Sequence, residues 1–252
     1  MNSKPKLTLV GAGPGDPDLI TVKGIKAIAD ADVILYDDLA SKVLLSYAKP
    51  KVEKIYVGKR VGKHSHTQQT INELIVHFAQ ENGHVVRLKG GDPFIFGRGY
   101  EELEYAKQFD IPCEIVPGIS SAHAVPALQQ IPMTSRGFSQ SYWVVTATTK
   151  EGGLTPDIAL AAQSSATIVI LMGTKKLHEI CNTFRHYGKQ DTPVAIIQNG
   201  TLENEKMVIG SISNIEFEAS KHNISSPAVI VVGEVVKLGK TYIEEFRHIQ
   251  TV

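Results

Sequence analysis

The run Leu88-Lys-Gly-Gly-Asp-Pro-Phe-Ile-Phe-Gly-Arg-Gly99 concentrates glycine and aromatic residues around one Asp, one Lys and one Arg. It follows the apolar stretch His84–Leu88, which reads as a buried strand. Glycine at a strand end lets the backbone come close to a ligand, because nothing projects from its Cα. A second turn, Gly11-Ala-Gly-Pro-Gly-Asp-Pro-Asp18, is not a dinucleotide fingerprint, since G-x-G-x-x-G would need glycine at Asp16. Pro14 also removes an N–H that a pyrophosphate would use, and no G-K-[ST] follows. The turn suits a ligand without phosphates; a tight strand-to-helix connection explains it as well. Asp37 closes the strand Val33–Tyr36, either as a carboxylate facing a crevice or as a turn and capping residue. From Lys54 to Asn72 there is no Asp or Glu, but Lys54, Lys59, Arg60, Lys63, His64 and His66 are all present. Lys59 and Arg60 stand at a strand end, so this basic patch is either a solvated face or a receiver for an anionic substrate. His64-x-His66 lacks a partner Cys or carboxylate, and no metal is expected. In the second half, Met172-Gly173, Gln198-Asn-Gly200 and Pro227-Ala228 lie at strand termini and mark turns that could line a pocket.

The elements carrying these residues alternate. Strands are predicted at Leu7–Val10, Val33–Tyr36, Lys54–Val57, Val85–Leu88 and Glu114–Val116. Helices are predicted over 21–31, 41–48, 68–81, 100–108 and 120–129, where apolar residues recur at helical spacing. Trp143–Ala147, Thr167–Met172, Val194–Gln198 and Ala228–Val232 read as further strands, with helices around 157–162 and 177–186. Such alternation implies α/β architecture with mainly parallel sheets. Ile131-Pro-Met-Thr-Ser-Arg-Gly137 suggests a division into an N-terminal α/β domain, 1–132, and a C-terminal one, 133–252, with a ligand cleft between them. Ligands of such sheets bind outside the carboxyl ends of the strands, where the polar punctuation of this chain falls.

The 252 residues carry 26 Lys+Arg and 26 Asp+Glu, so no global field points to nucleic acid or an anionic membrane. Cys113 and Cys181 form no C-x-x-C pair, which speaks against a zinc or redox motif and for a reducing compartment. No apolar signal region or membrane-length run is present, so a cytoplasmic location is expected.

The ordered stretches VGAGPGDPDLIT, ADVILYDDL, YVGKRVGKH, VVRLKGGDPFIFGRG, VPGISSA, IPMTSRG, PVAIIQNGT and SPAVIVVGEVV run from residue 10 to 236. In these the chain resembles the uroporphyrinogen-III C-methyltransferases of the tetrapyrrole methylase superfamily. The resemblance implies the tetrapyrrole methylase fold, with S-adenosylmethionine in the cleft between two α/β domains and S-adenosylhomocysteine as the spent product. It implies a homodimer that methylates uroporphyrinogen III at carbons 2 and 7 to give precorrin-2, which feeds siroheme and cobalamin. By position, the family's cofactor contacts fall on Pro14, Gly90, Gly91, Asp92, Ile95, Ser120, Ser121, Met172, Gly200 and Ala228. Its base and acid fall on Asp37 and Lys59. Lys59, Arg60, Lys63, Arg87, Arg98 and Arg136 are candidates for the substrate carboxylates. Separate enzymes are expected to oxidise the product and insert metal. The chain departs from many relatives at Thr134-Ser135-Arg136-Gly137, at Thr146-Ala147-Thr148 and at Tyr100, which bears on substrate contacts. The alternatives are another methylase of the superfamily, a non-catalytic S-adenosylmethionine-binding module and, weakest, a dehydrogenase.

Overall fold

The computed structural model describes residues 4–58 and 66–246. It divides into two compact units, Met1–Ser121 and Ala122–Val252, upstream of the 132/133 division expected from the sequence. The reason is packing: Ala122, Val125 and Ile131 enter a hydrophobic core of the second unit.

The first unit contains β1 (Lys6–Gly11), α1 (Val22–Asp30), β2 (Val33–Tyr36), β3 (Glu53–Tyr56), α2 (Gln68–Asn82), β4 (His84–Lys89), α3 (Gly99–Lys107) and β5 (Cys113–Val116). Its strands form one sheet in the order β3-β2-β4-β1-β5. Every pairing is parallel. The predicted helix over 41–48 is a 3₁₀ segment, Lys42–Tyr47. The pleat sends alternate residues to opposite faces. Leu7, Leu9, Val33, Leu35 and Val85 pack with Ile71, Ile75 and Ala79 of α2 and Leu103 and Ala106 of α3. Val10, Ile34, Val86, Leu88 and Val116 pack on the other face with Ile28, Ala31 and Leu44. The side-chain oxygens of Thr21 and Thr67 accept from Gly24 N and Thr70 N, capping α1 and α2.

Helix α4 (Ser121–Leu128) leads into the second unit, followed by β6 (Tyr142–Thr146), α5 (Asp157–Gln163), β7 (Thr167–Leu171), α6 (Leu177–His186), β8 (Pro193–Gln198), β9 (Lys206–Ser211), α7 (Ile215–Lys221), β10 (Ala228–Val232) and α8 (Lys240–Phe246). The sheet order is β6-β7-β10-β8-β9. Here the expectation of a mainly parallel sheet fails. Only β6–β7 is parallel; β7–β10, β10–β8 and β8–β9 are antiparallel. The sequence reading left out β9, and with it the β8–β9 hairpin. A hairpin needs no crossover helix and reverses the strand direction. Helix α7 was also left out.

Candidate active site

Because the first sheet is parallel, the carboxyl ends of all its strands lie along one edge. Pro14, Asp37, the Lys89–Asp92 turn and Gly118–Ser121 therefore gather there. Ala12 N donates to Lys89 O at 2.7 Å, and Gly13 and Gly91 exchange backbone bonds, with Gly91 N to Gly13 O at 2.6 Å. A Cβ on Gly118 would collide with the Gly91 carbonyl oxygen and with the Gly11 backbone. The glycines at Gly11 and Gly118 thus serve the crossing of three strand-end loops. At Gly90 a side chain would run into Leu39. Gly91 differs: its φ is +64°, but the nearest atom to an added Cβ is Ser121 N at 3.8 Å, an ordinary contact, so a side chain there would meet no collision.

Asp92 is spent on the turn. Its Oδ1 accepts from Phe94 N at 2.8 Å and its Oδ2 from Gly118 N at 3.0 Å. Ile95 beyond it is exposed, and Ser120 and Ser121 are half-buried. Arg98 sits at φ +60° and clamps Glu101 through two bonds of 2.8 and 2.6 Å.

Asp37 takes the turn role the sequence left open and, besides it, an ion pair. Oδ1 accepts from Leu39 N at 3.2 Å, as a turn residue does, while Oδ2 accepts from Arg87 Nη2 at 2.8 Å. The Asp37 side chain is 24% exposed, whereas that of Arg87 is only 4% exposed. Arg87 is therefore no free receiver for a substrate carboxylate, contrary to the sequence expectation; its guanidinium is buried and already paired. Lys59, Arg60 and Lys63 lie outside the described residues, and Arg136 is exposed.

Beneath Asp37 lies a charge cluster that the sequence reading missed. Arg87 and Lys89 leave β4 on the face covered by α2 and α3, and both meet Glu102 of α3. Glu102 Oε1 accepts from Lys89 Nζ at 2.7 Å, Gln68 Nε2 at 3.2 Å and Arg87 Nε at 3.3 Å. Burial pushes the Lys89 ammonium below its ordinary pKa, and the Arg87 charge beside it adds to this, against the pull of Glu102. The signal was present in the sequence. Two cations at i and i+2 of an apolar parallel strand demand a buried counter-charge.

In the second unit, β10 runs against β7 and β8. Its start therefore shares an edge with their ends: Ala228 pairs with Gln198. Met172, Gly200 and Ala228 fall along that edge. Met172 has φ +54°, Asn199 +52° and Thr201 +73°. A side chain at Gly200 would strike Val125. Glu205 pins the loop by accepting from Thr201 N at 2.8 Å and from Gln129 Nε2 at 2.6 Å.

Among the described residues no cluster of His, Cys, Asp and Glu is suited to a metal. The parallel first unit, with a held carboxylate on a glycine-locked strand edge, followed by a mixed-sheet second unit, defines a two-unit α/β protein of the kind that binds small molecules at strand ends. A model of the tetrapyrrole (corrin/porphyrin) methylases matches residues 6–216, and the chain belongs to that family. It is 51% identical over 235 residues to the uroporphyrinogen-III C-methyltransferase of Methanocaldococcus jannaschii, covering 92% of this chain and 97% of that one. It is 46% identical to a siroheme synthase of Actinobacillus pleuropneumoniae over 93% of this chain, but spans only 48% of that protein. A crystal structure of uroporphyrin-III C-methyl transferase from Thermus thermophilus complexed with S-adenyl homocysteine shares 34% identity. It superposes with a TM-score of 0.79, covering 92% of this chain and 99% of that one.

Proposed function

We propose that the chain is an S-adenosylmethionine-dependent C-methyltransferase that converts uroporphyrinogen III to precorrin-2 by successive methylation at carbons 2 and 7. The observation that carries this is the near end-to-end match, at 51% identity, to a relative named uroporphyrinogen-III C-methyltransferase. The strand-end site fits the methyl donor on its own terms. Pro14 and the short turn offer no phosphate cradle, while the uncrowded backbone at Gly91 and the exposed apolar side chain of Ile95 suit close approach of a ligand with an apolar portion. S-adenosylmethionine, when bound, supplies an electrophilic methyl group.

For its binding we propose Pro14, Gly90, Gly91, Asp92, Ile95, Ser120 and Ser121 of the first unit, and Met172, Gly200 and Ala228 of the second. Asp92 contributes through its backbone, because both carboxylate oxygens are taken. Asp37 accepts the proton that the ring must lose as each methyl group is added. Arg87 holds the Asp37 carboxylate so that it can do so. Lys59, outside the described residues, is proposed as the proton donor. We further propose a homodimer in the cytoplasm whose product feeds siroheme and cobalamin; no described helix is long and apolar enough to cross a membrane.

Incubation with S-adenosylmethionine and enzymatically generated uroporphyrinogen III tests the reading. A product heavier by two methyl groups is expected, and Asp37→Asn should lower kcat by about 10²-fold or more while leaving binding of S-adenosylhomocysteine intact. Full binding without methyl transfer would replace the enzyme with a sensing module.

A further inference from the structure

We propose that Glu102 is a positioning residue for the reaction: it fixes Arg87, and through Arg87 the orientation of Asp37. This rests on the reading of Asp37 as the proton acceptor.

Glu102 is completely buried, and the side chains of Arg87 and Lys89 are 4% and 6% exposed. All three donors converge on one oxygen, Oε1, while Oε2 is buried with no hydrogen-bond partner among the described residues. An acceptor that leaves one oxygen unmatched is not arranged for the largest gain from its own hydrogen bonds. Buried ionic groups are also weak evidence for stability, since apolar side chains of similar volume often serve as well. What the arrangement does achieve is direction. Arg87 is held at three nitrogens: Nε on Glu102 at 3.3 Å, Nη1 on Leu88 O at 2.8 Å and Nη2 on Asp37 Oδ2 at 2.8 Å. A long side chain bonded at each of its three guanidinium nitrogens is held against swinging away from the carboxylate it pairs with. Lys89 supplies the second cation that balances Glu102 and Asp37, so the buried quartet carries no net charge. Only Asp37 reaches partly into solvent, and it is therefore the end of the quartet that can meet a substrate.

The order of the elements favours the same view. Arg87 and Lys89 occupy one face of β4, and Asp37 follows directly on the neighbouring strand β2, so the three meet at the carboxyl ends of adjacent strands. Glu102 lies in the first turn of α3, directly after the glycine-rich loop. Fixing Arg87 from α3 thus ties the placement of Asp37 to the helix that closes that loop.

Two double variants with equal buried charge separate positioning from simple charge balance. Lys89→Met with Glu102→Gln keeps an acceptor for Arg87 Nε; Lys89→Met with Glu102→Leu does not. If both fold with similar melting temperatures, the Gln pair should exceed the Leu pair at least tenfold in kcat. KM for the methyl donor should stay alike in the two. In ¹⁵N spectra the Arg87 Nε–H resonance should be sharp in the wild type and the Gln pair, and broadened in the Leu pair. Equal kcat and an equally sharp resonance in the two variants would overturn the proposal. If the wild type itself transfers no methyl group, the functional reading fails, and the Arg87 resonance still decides whether Glu102 fixes it. Should the Leu pair not fold, Lys89→Met with Glu102→Met, whose unbranched side chain also offers Arg87 Nε no oxygen, takes its place: a kcat and a sharpness equal to those of the Gln pair would overturn the proposal.

Discussion

The two units solve the same problem, turning the chain at a sheet edge, by different means. In the first, every strand is parallel, and the turns just beyond β1 and β4 place their left-handed backbone on Gly13 (φ +80°) and Gly91 (φ +64°). In the second, the turns after β7 and β8 place it on Met172, Asn199 and Thr201, of which Thr201 is β-branched. Where its loops cross, the first edge is thus locked by close packing of backbones on glycines, and non-glycine residues with positive φ, Phe96 and Arg98, come only further along the loop after β4. The second holds side chains at its turns and accepts backbone strain, of order 1–3 kcal/mol per residue, to keep them there. Residues kept in such conformations mark where a side chain is worth more than a relaxed turn.

The largest effect that would break this contrast is steric. Gly118→Ala drives a methyl group into the Gly91 carbonyl and the Gly11 backbone, neither of which can move alone. We expect a loss of roughly 3 kcal/mol or outright failure of the first unit to fold. Gly91→Ala, strained in φ but sterically open, should cost only about 1–2 kcal/mol. Urea unfolding followed by hydrogen exchange of β1 and β4 amides checks both; equal losses would mean that φ, not contact, governs this edge.

The glycine-lock was legible in the sequence as a pattern, though not in purpose. Four glycines from Leu88 to Gly99 announced close approach, and the approach proves to be between loops, with Gly91 the one that a side chain would not crowd. The short apolar runs Leu7–Val10, Val33–Tyr36 and Val85–Leu88, interleaved with helical stretches, sufficed for a parallel sheet, because strands buried on both faces read as apolar runs. It could not supply strand direction in the second unit. Lys206–Ser211 offers only Met207, Val208 and Ile209 as an apolar run, and nothing local to those residues says that they pair back on Pro193–Gln198. Asp37 was visible from its place at a strand end. Its fixing by Arg87 was not, since the two residues are 50 apart in sequence and meet only through the pairing of β2 with β4.

The units should also fail at opposite ends of the pH scale. Cys181, fully buried in the second unit, has its thiol pushed up to about 12, first by burial and then by the nearby Glu216 carboxylate. The unfolded thiol ionises near 8.5, so above that pH the unfolded state sheds a proton that the folded state keeps. Stability present below about pH 8.5 is therefore lost as pH rises, by roughly 2 kcal/mol at pH 10. Unfolding followed by the fluorescence of Trp143, the single tryptophan, should show this loss, and Cys181→Ala should flatten it. A slope unchanged by the substitution would sink the assignment.

In the first unit the sign reverses. Glu114 pairs with Lys23 at 2.6 Å and accepts from Lys6 Nζ at 2.9 Å, and these two bonds, Lys23 foremost, lower its pKa to about 2. Its stabilisation is present above the unfolded carboxylate pKa and lost as pH falls toward 2. Because the side chain is 36% exposed, solvent screening keeps the effect below about 1 kcal/mol. Glu114→Gln should make first-unit stability less steep between pH 5 and 2, read by exchange of β5 amides; an identical slope would show that the trio contributes nothing.

The smallest effect sharpens the contrast most. Met172 is 54% exposed and holds φ +54°, so Met172→Gly removes strain and gives up no buried side chain. The glycine also loosens the unfolded chain, which offsets much of that relief. Stability should accordingly stay within about 0.5 kcal/mol of the wild type, if anything above it. If the strained turn exists to present this thioether side chain to the methyl donor, affinity for S-adenosylhomocysteine, measured by calorimetry, should nonetheless fall by about tenfold, as expected when a well-packed apolar contact is lost. A stabilised protein with undiminished affinity would mean that the second edge carries its strain for some purpose other than ligand contact.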